Sequence, residues 1–262
     1  FFFFLAFVNQ ISSRSQLSDS KNKAKRISLG IAIAVGAIIL FLIYFTNINP
    51  ARANMATLQA IRGVYSDPTL GVQMFKSLVQ NPSPHIDDIR NDFARTATQV
   101  LAQLLEQKKI PSAELVFDAA YNELKKNREL HPRDIRVHLE QAQLAMFGAE
   151  IKQDAGLVYE AGAILADALR QSPERQQVQY FLATLQWRLG KSDAAIRLLR
   201  DSIINDSKIA EGWWRLAMIY EQLGNHSLAL KLVAAAGKQG IVFEGQGKAA
   251  VETIRNVSST QR

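Results

Sequence analysis

Two stretches near the end of the chain align without a gap at an offset of 34 residues. "VQYFLATLQWRLGKSDAAIRLL" begins at Val178 and "GWWRLAMIYEQLGNHSLALKLV" begins at Gly212. Leu182 matches Leu216, Ala183 matches Ala217, Leu189–Gly190 matches Leu223–Gly224, and Ala195 matches Ala229. Each stretch reads as two amphipathic helices, a first and a second, broken at the Leu-Gly pair, where glycine supplies the left-handed helix cap. Alanine at 183 and 217 lets the first helix approach the second closely. Alanine at 195 and 229 does the same from the other side. A unit this small leaves an apolar stripe uncovered, and only stacking against the next unit buries it. The repeat therefore confines this part of the chain to a solenoid of helix pairs.

A 34-residue period of paired helices is the tetratricopeptide signature. The pattern continues upstream more loosely. Ala161, Leu165, Ala168 and Pro173 fit a second helix, but the matching small residue of its first helix is Ala142, 19 residues earlier instead of 12. This unit carries a seven-residue insertion around "GAEIKQD". "DDIRNDFARTATQVLAQLLEQ" and "AELVFDAAYNELKKNRELHP" read as a further pair, and "PARANMATLQAIRGVY" with "DPTLGVQMFKSLVQNP" as another. The expectation is an all-α chain with about four helix pairs over 50–240. A capping helix and polar tail follow over 241–262.

The first 46 residues have a different chemistry. "ISLGIAIAVGAIILFLIYFT", residues 27–46, passes without a charge. At about 1.5 Å per residue such a helix spans a bilayer core. Tyr44 and Phe45 stand where interfacial aromatics belong. A signal peptide is disfavoured, because the apolar run is long and no small-residue cleavage pattern closes it cleanly. Gly30 with Ala34, and Ala32 with Gly36, are spaced for close packing in a helix bundle. Residues 1–8 are apolar and lack a starting methionine, which reads as the end of a preceding, truncated membrane helix. Residues 9–26 hold Arg14, Lys21, Lys23, Lys25 and Arg26 against Asp19. A basic loop between two spans marks the cytoplasmic side, so the repeats are expected outside the cytoplasm on a plasma (inner) membrane protein.

Charge elsewhere is balanced. Residues 47–262 keep 26 of the 31 basic residues and 23 of the 24 acidic ones, which gives no nucleic-acid face. There is no cysteine, so disulfides and thiolate metal sites are excluded. His85, His131, His138 and His226 lack metal-ligand spacing and read as surface or turn residues. No catalytic constellation, metal or cofactor is expected. All three tryptophans, Trp187, Trp213 and Trp214, fall in the last two repeats. With Ala183 and Ala217 as the small eighth position, Tyr180 and Trp214 are fifth positions, while Trp187 and Glu221 are twelfth. Tetratricopeptide grooves are lined from those positions. Tyr180, Trp187, Trp214 and Glu221 are therefore the candidate groove residues, for a protein, a peptide or a glycan. The alternative is that these aromatics pack on the tail helix. Trp213, at position four, belongs between helices.

The stretch "FTNINPARANMATLQAIRGVYSDPTLGVQMFKSLVQNP", continued through "DDIRNDFARTATQVL", resembles the link between the last span and the repeats in tetratricopeptide-bearing members of the O-antigen ligase, polymerase and O-oligosaccharyltransferase superfamily. The resemblance implies a parent that transfers a polyprenyl-linked glycan to an acceptor outside the membrane. The family's catalytic residues lie in loops between earlier spans, so none is carried over here. The competing class is a membrane-anchored, non-enzymatic scaffold of the cell envelope.

Overall fold

The computed structural model describes residues 21–80 and 85–260. Helices follow one another as α1 Lys21–Ile43, a π-helical turn Tyr44–Ile48, α2 Asn49–Ser66, α3 Pro68–Gln80, α4 Ile86–Glu106, α5 Ile110–Leu130, α6 Ile135–Lys152, α7 Ala155–Gln171, α8 Gln176–Arg188, α9 Ser192–Asn205, α10 Ala210–Gln222, α11 His226–Lys238 and α12 Gly245–Thr260. The described residues contain no strand. Two compact units divide between Met55 and Ala56.

The helical stretch Gly30–Ser66 contains an apolar window of mean hydropathy 2.4, none of it buried, long and apolar enough to cross a membrane. Ile33 and Leu40 are 64% and 69% exposed. The π-helical turn has a local cause. Pro50 has no N–H to give the carbonyl of Thr46, and its ring crowds that position. The N–H of Asn49 reaches Tyr44 O instead, and Thr46 Oγ1 donates to Leu42 O at 2.7 Å. One boundary differs from the sequence reading. Lys21, Lys23, Lys25 and Arg26 open helix α1 and do not sit in a loop over 9–26. Residues 1–8, and the rest of that loop, lie outside the described residues.

Among the described residues the second unit is built from the four helix pairs α4–α5, α6–α7, α8–α9 and α10–α11, preceded by a fifth, α2–α3, whose first helix begins before Ala56. The fifth is the irregular first pair. It is held by a backbone approach in which a Cβ on Gly71 would lie 2.1 Å from Val64 N. The stacked rings of Phe75 and Phe93, 3.6 Å between centroids, join α3 to α4.

Four successive pairs turn from first to second helix through one residue of positive φ: Lys108 (57°), Gln153 (53°), Gly190 (71°) and Gly224 (76°). The two glycines are the caps expected from the Leu-Gly pairs. The other two turns use residues that bear strain for the same geometry. The seven-residue insertion becomes helix, not loop. Helices α6 and α7 have 18 and 17 residues, against 13 and 14 in α8 and α9. Seven residues is about two turns, so the lengthened helices keep their apolar faces in register.

The small positions pack as the repeat requires. Ala183, Ala195, Ala217 and Ala229 are all at most 1% exposed. Gly148 of α6 admits the Phe117 ring of α5, and a Cβ there would sit 2.2 Å from Phe117 Cζ. Helix α12 packs on α10 and α11, burying Val251 and Ile254. It occupies the position of a next first helix and closes the apolar stripe.

Candidate functional site

The first helices of successive pairs wall three adjoining depressions. The first, between α6 and α8, is lined by Ala142, Met146, Phe147, Leu165, Phe181 and Leu185, with Gln143, Glu150, Thr184 and Arg188. The second, between α8 and α10, shares Phe181 and Thr184 and adds Gln176, Gln177, Tyr180, Ile209, Glu211 and Arg215. The third shares Thr184 and Arg215 and adds Trp187, Leu199, Trp214, Met218, Ile219 and Gln222. Together they form one furrow crossing α6, α8 and α10. Helix α8 meets α7, and α6 sets Met146 and Phe147, which precede the insertion, and Glu150, which lies within it, along the opening.

Three of the four residues expected from the repeat register line this furrow, each in its own way. Tyr180 is nearly buried, 7% exposed, and its hydroxyl donates to Gln176 Oε1 at 2.9 Å. Burial, with the Glu211 carboxylate adding to it and Arg215 opposing, pushes the Tyr180 phenol up to about 12. It is therefore a neutral wall and not a base. Trp187 and Trp214 are half-buried against the core of the last repeats. Trp214 also meets the tail helix: a Cβ on Gly247 would lie 2.8 Å from Trp214 Cδ1. Helix α12 thus covers part of the Trp214 ring, and the furrow takes the rest. Glu221 is placed differently. It does not line the furrow, and its Oε2 is 2.7 Å from His226 Nδ1 at the turn into α11.

Arg215 organises the centre. Its guanidinium lies 4.4 Å from the Trp214 ring centroid and 5.7 Å from that of Tyr180, and it donates to Glu211 at 3.2 Å. Stacking and the ion pair hold it flat along the furrow wall. At the α6–α8 end the charges are free: Glu150 and Arg188 line the furrow and form no ion pair among the described residues. Phe181 is 38% exposed there. A furrow with rigid aromatic walls, aliphatic side chains and a few charged groups suits the docking of a peptide segment.

The residues missed from sequence are Met146, Phe147, Phe181, Thr184 and Arg215. Met146 and Phe147 stand at the twelfth and thirteenth positions when the unit is numbered from Ala142. The register counted forward from Ala142 reaches both before the insertion begins at Gly148. Trp213 is interior, 7% exposed, with its indole N–H donating to Ser207 O at 2.9 Å.

The histidine reading needs a correction. His138 is not a surface or turn residue: it is 1% exposed, with Nδ1 3.0 Å from Asp134 O and Nε2 3.3 Å from Asp167 Oδ2. Ala142, one turn on, faces the same interior and draws it in. The other charged clusters tie helices together. Arg90 joins Glu123 at 3.0 Å and Asp87 at 3.2 Å across α4 and α5. Burial pushes the Glu140 carboxyl up to about 7, with Arg95 and Arg136 opposing. Among the described residues no group of three His, Cys, Asp or Glu could hold a metal ion.

A family model described as Tetratricopeptide repeat matches residues 148–208 and again 180–240. These residues carry tetratricopeptide repeats, and the second unit is a tetratricopeptide-type helical solenoid. The chain is similar to a thermophilic TPR protein in Thermus thermophilus, at 17% identity over 71% of this chain and 91% of that one, with a TM-score of 0.49. It is also similar to MamA from Desulfovibrio magneticus RS-1, at 13% identity over 71% and 93% of the two chains, with a TM-score of 0.45. No curated protein matches the chain.

Proposed function

We propose that the repeat unit is a protein-docking module, and that the furrow across α6, α8 and α10 receives a segment of its partner. The observation that carries this is the α6–α8 end, where Phe181 is 38% exposed between apolar walls and Glu150 and Arg188 form no ion pair among the described residues. The apolar walls favour a peptide over a glycan. Phe181→Asp should abolish docking while leaving helix content unchanged, because Phe181 contributes little to the core.

The module, in this reading, is carried outside the cytoplasm by a membrane-attached parent of the O-antigen ligase, polymerase and O-oligosaccharyltransferase kind. The uncharged, unburied helix and the resemblance around residues 45–101 support it. A second reading, a non-enzymatic envelope scaffold, rests on the family match, which covers interaction repeats alone. Many membrane spans encoded upstream of Phe1 would favour the transferase, and one or none would favour the scaffold.

Placement is testable because the chain has no cysteine. Tyr159 is 66% exposed and lies off the furrow. In intact spheroplasts a membrane-impermeant maleimide should label Tyr159→Cys, and should label Ser18→Cys only after lysis. The reverse pattern would invert the topology.

A further inference from the structure

The second helices of the last two repeats form another apolar surface, which shares no residue with the furrow. Between α9 and α11 runs a trough floored by Trp213 and Tyr220 of α10. Its α9 wall is Arg200, Ile203 and Ile204, and its α11 wall includes Leu228, Lys231 and Leu232. On both walls the residues are spaced i, i+3, i+4, so each wall is one straight helix face. Ile204 is 79% exposed and Leu228 is 44% exposed. Isolated exposed aliphatics are ordinary, but two facing each other across an aromatic floor make a surface that can exclude water.

The charge lining this trough has one sign. Among the described residues that line it, Arg200 and Lys231 are the charged ones. Arg200 donates to the Tyr220 hydroxyl at 2.6 Å, which fixes its guanidinium beside the floor without neutralising it. Among the described residues neither cation forms an ion pair. Two parallel helix walls, an apolar floor and cations on both sides match a third helix with an apolar face flanked by carboxylates. A bilayer is a poorer match, because a flat surface does not reach the floor of a trough between two helices.

We infer that the α9–α11 trough docks an acidic amphipathic helix of a partner protein. The surface is a second one, walled by second helices where the furrow is walled by first helices, with α10 giving different residues to each, and it stands whether or not the furrow binds anything.

The test uses the full chain in detergent micelles and a synthetic amphipathic peptide of about five helical turns, with leucines on one face and glutamates beside them. Binding is followed by fluorescence anisotropy of a label on the peptide. The glutamate peptide should bind saturably, more weakly as salt rises, while a peptide with lysines in place of the glutamates should not bind. Ile204→Asp and Lys231→Glu should each weaken binding by at least about tenfold. Both positions are exposed, so helix content and melting should be unchanged. Phe181→Asp should bind as the unaltered chain does, which separates this surface from the furrow. The inference is overturned if neither peptide binds, if both bind alike, or if Ile204→Asp and Lys231→Glu bind with unchanged affinity. It is also overturned if the chain ignores the peptides but those two substitutions abolish its binding to phosphatidylglycerol vesicles, which would make the trough a lipid surface.

Discussion

Trp213→Ala is expected to lower the stability of the repeat unit by about 3–5 kcal/mol, the usual cost of removing a buried tryptophan. Its neighbour, Trp214→Ala, should cost roughly 1–2 kcal/mol. The two residues are adjacent in sequence and differ in what they touch. Trp213 is 7% exposed and its indole N–H is satisfied by Ser207 O at 2.9 Å. Its removal leaves a cavity between repeats and a backbone carbonyl without its donor. Trp214 is half-buried, shared between the furrow, the Arg215 guanidinium and Gly247 of the tail helix. Its loss frees surface that water already reaches in part. Thermal melting of both variants decides the matter. A large loss from Trp214→Ala with none from Trp213→Ala would shift the repeat register by one residue.

Ala217→Trp is the second large effect, a loss of about 1–3 kcal/mol or more through overpacking. Ala217 is fully buried in one cluster with Ala195, Leu199, Ala229 and Val233, where two helix pairs meet. An indole there has no space to enter, so α10 must move from its neighbours. Val242→Trp adds the same bulk at a site that is 73% exposed and should leave melting unchanged. Equal melting of the two variants would mean that the small positions of the 34-residue alignment do not report packing.

The residues explain why parts of this architecture were legible in the sequence and others were not. The last two repeats announce themselves because their left-handed turns fall on Gly190 and Gly224. The equivalent turns upstream fall on Lys108 and Gln153, which carry no such signal. The insertion obscured the furrow for a related reason. It reads as an interruption, yet it is taken up as helix, with α6 five residues longer than α8 and α7 three residues longer than α9. The aromatic residues of the last repeats were visible, but composition could not show that Tyr180 is nearly enclosed or that Glu221 turns to His226. Those outcomes depend on the neighbouring helix and not on the repeat. The burial of His138 was within reach of the sequence, since it stands one turn before Ala142 on the same helix face.

The docking claim is tested most directly by crosslinking from inside the furrow. In a chain with no native cysteine, Phe181→Cys and Met146→Cys place a single benzophenone maleimide at two points of the furrow wall, and Tyr159→Cys places one on the outer surface. After illumination of native membranes, the account predicts the same protein adduct from positions 181 and 146 and none from 159. Adducts of equal yield at all three positions, or an adduct from 159 with none from the furrow, would contradict it.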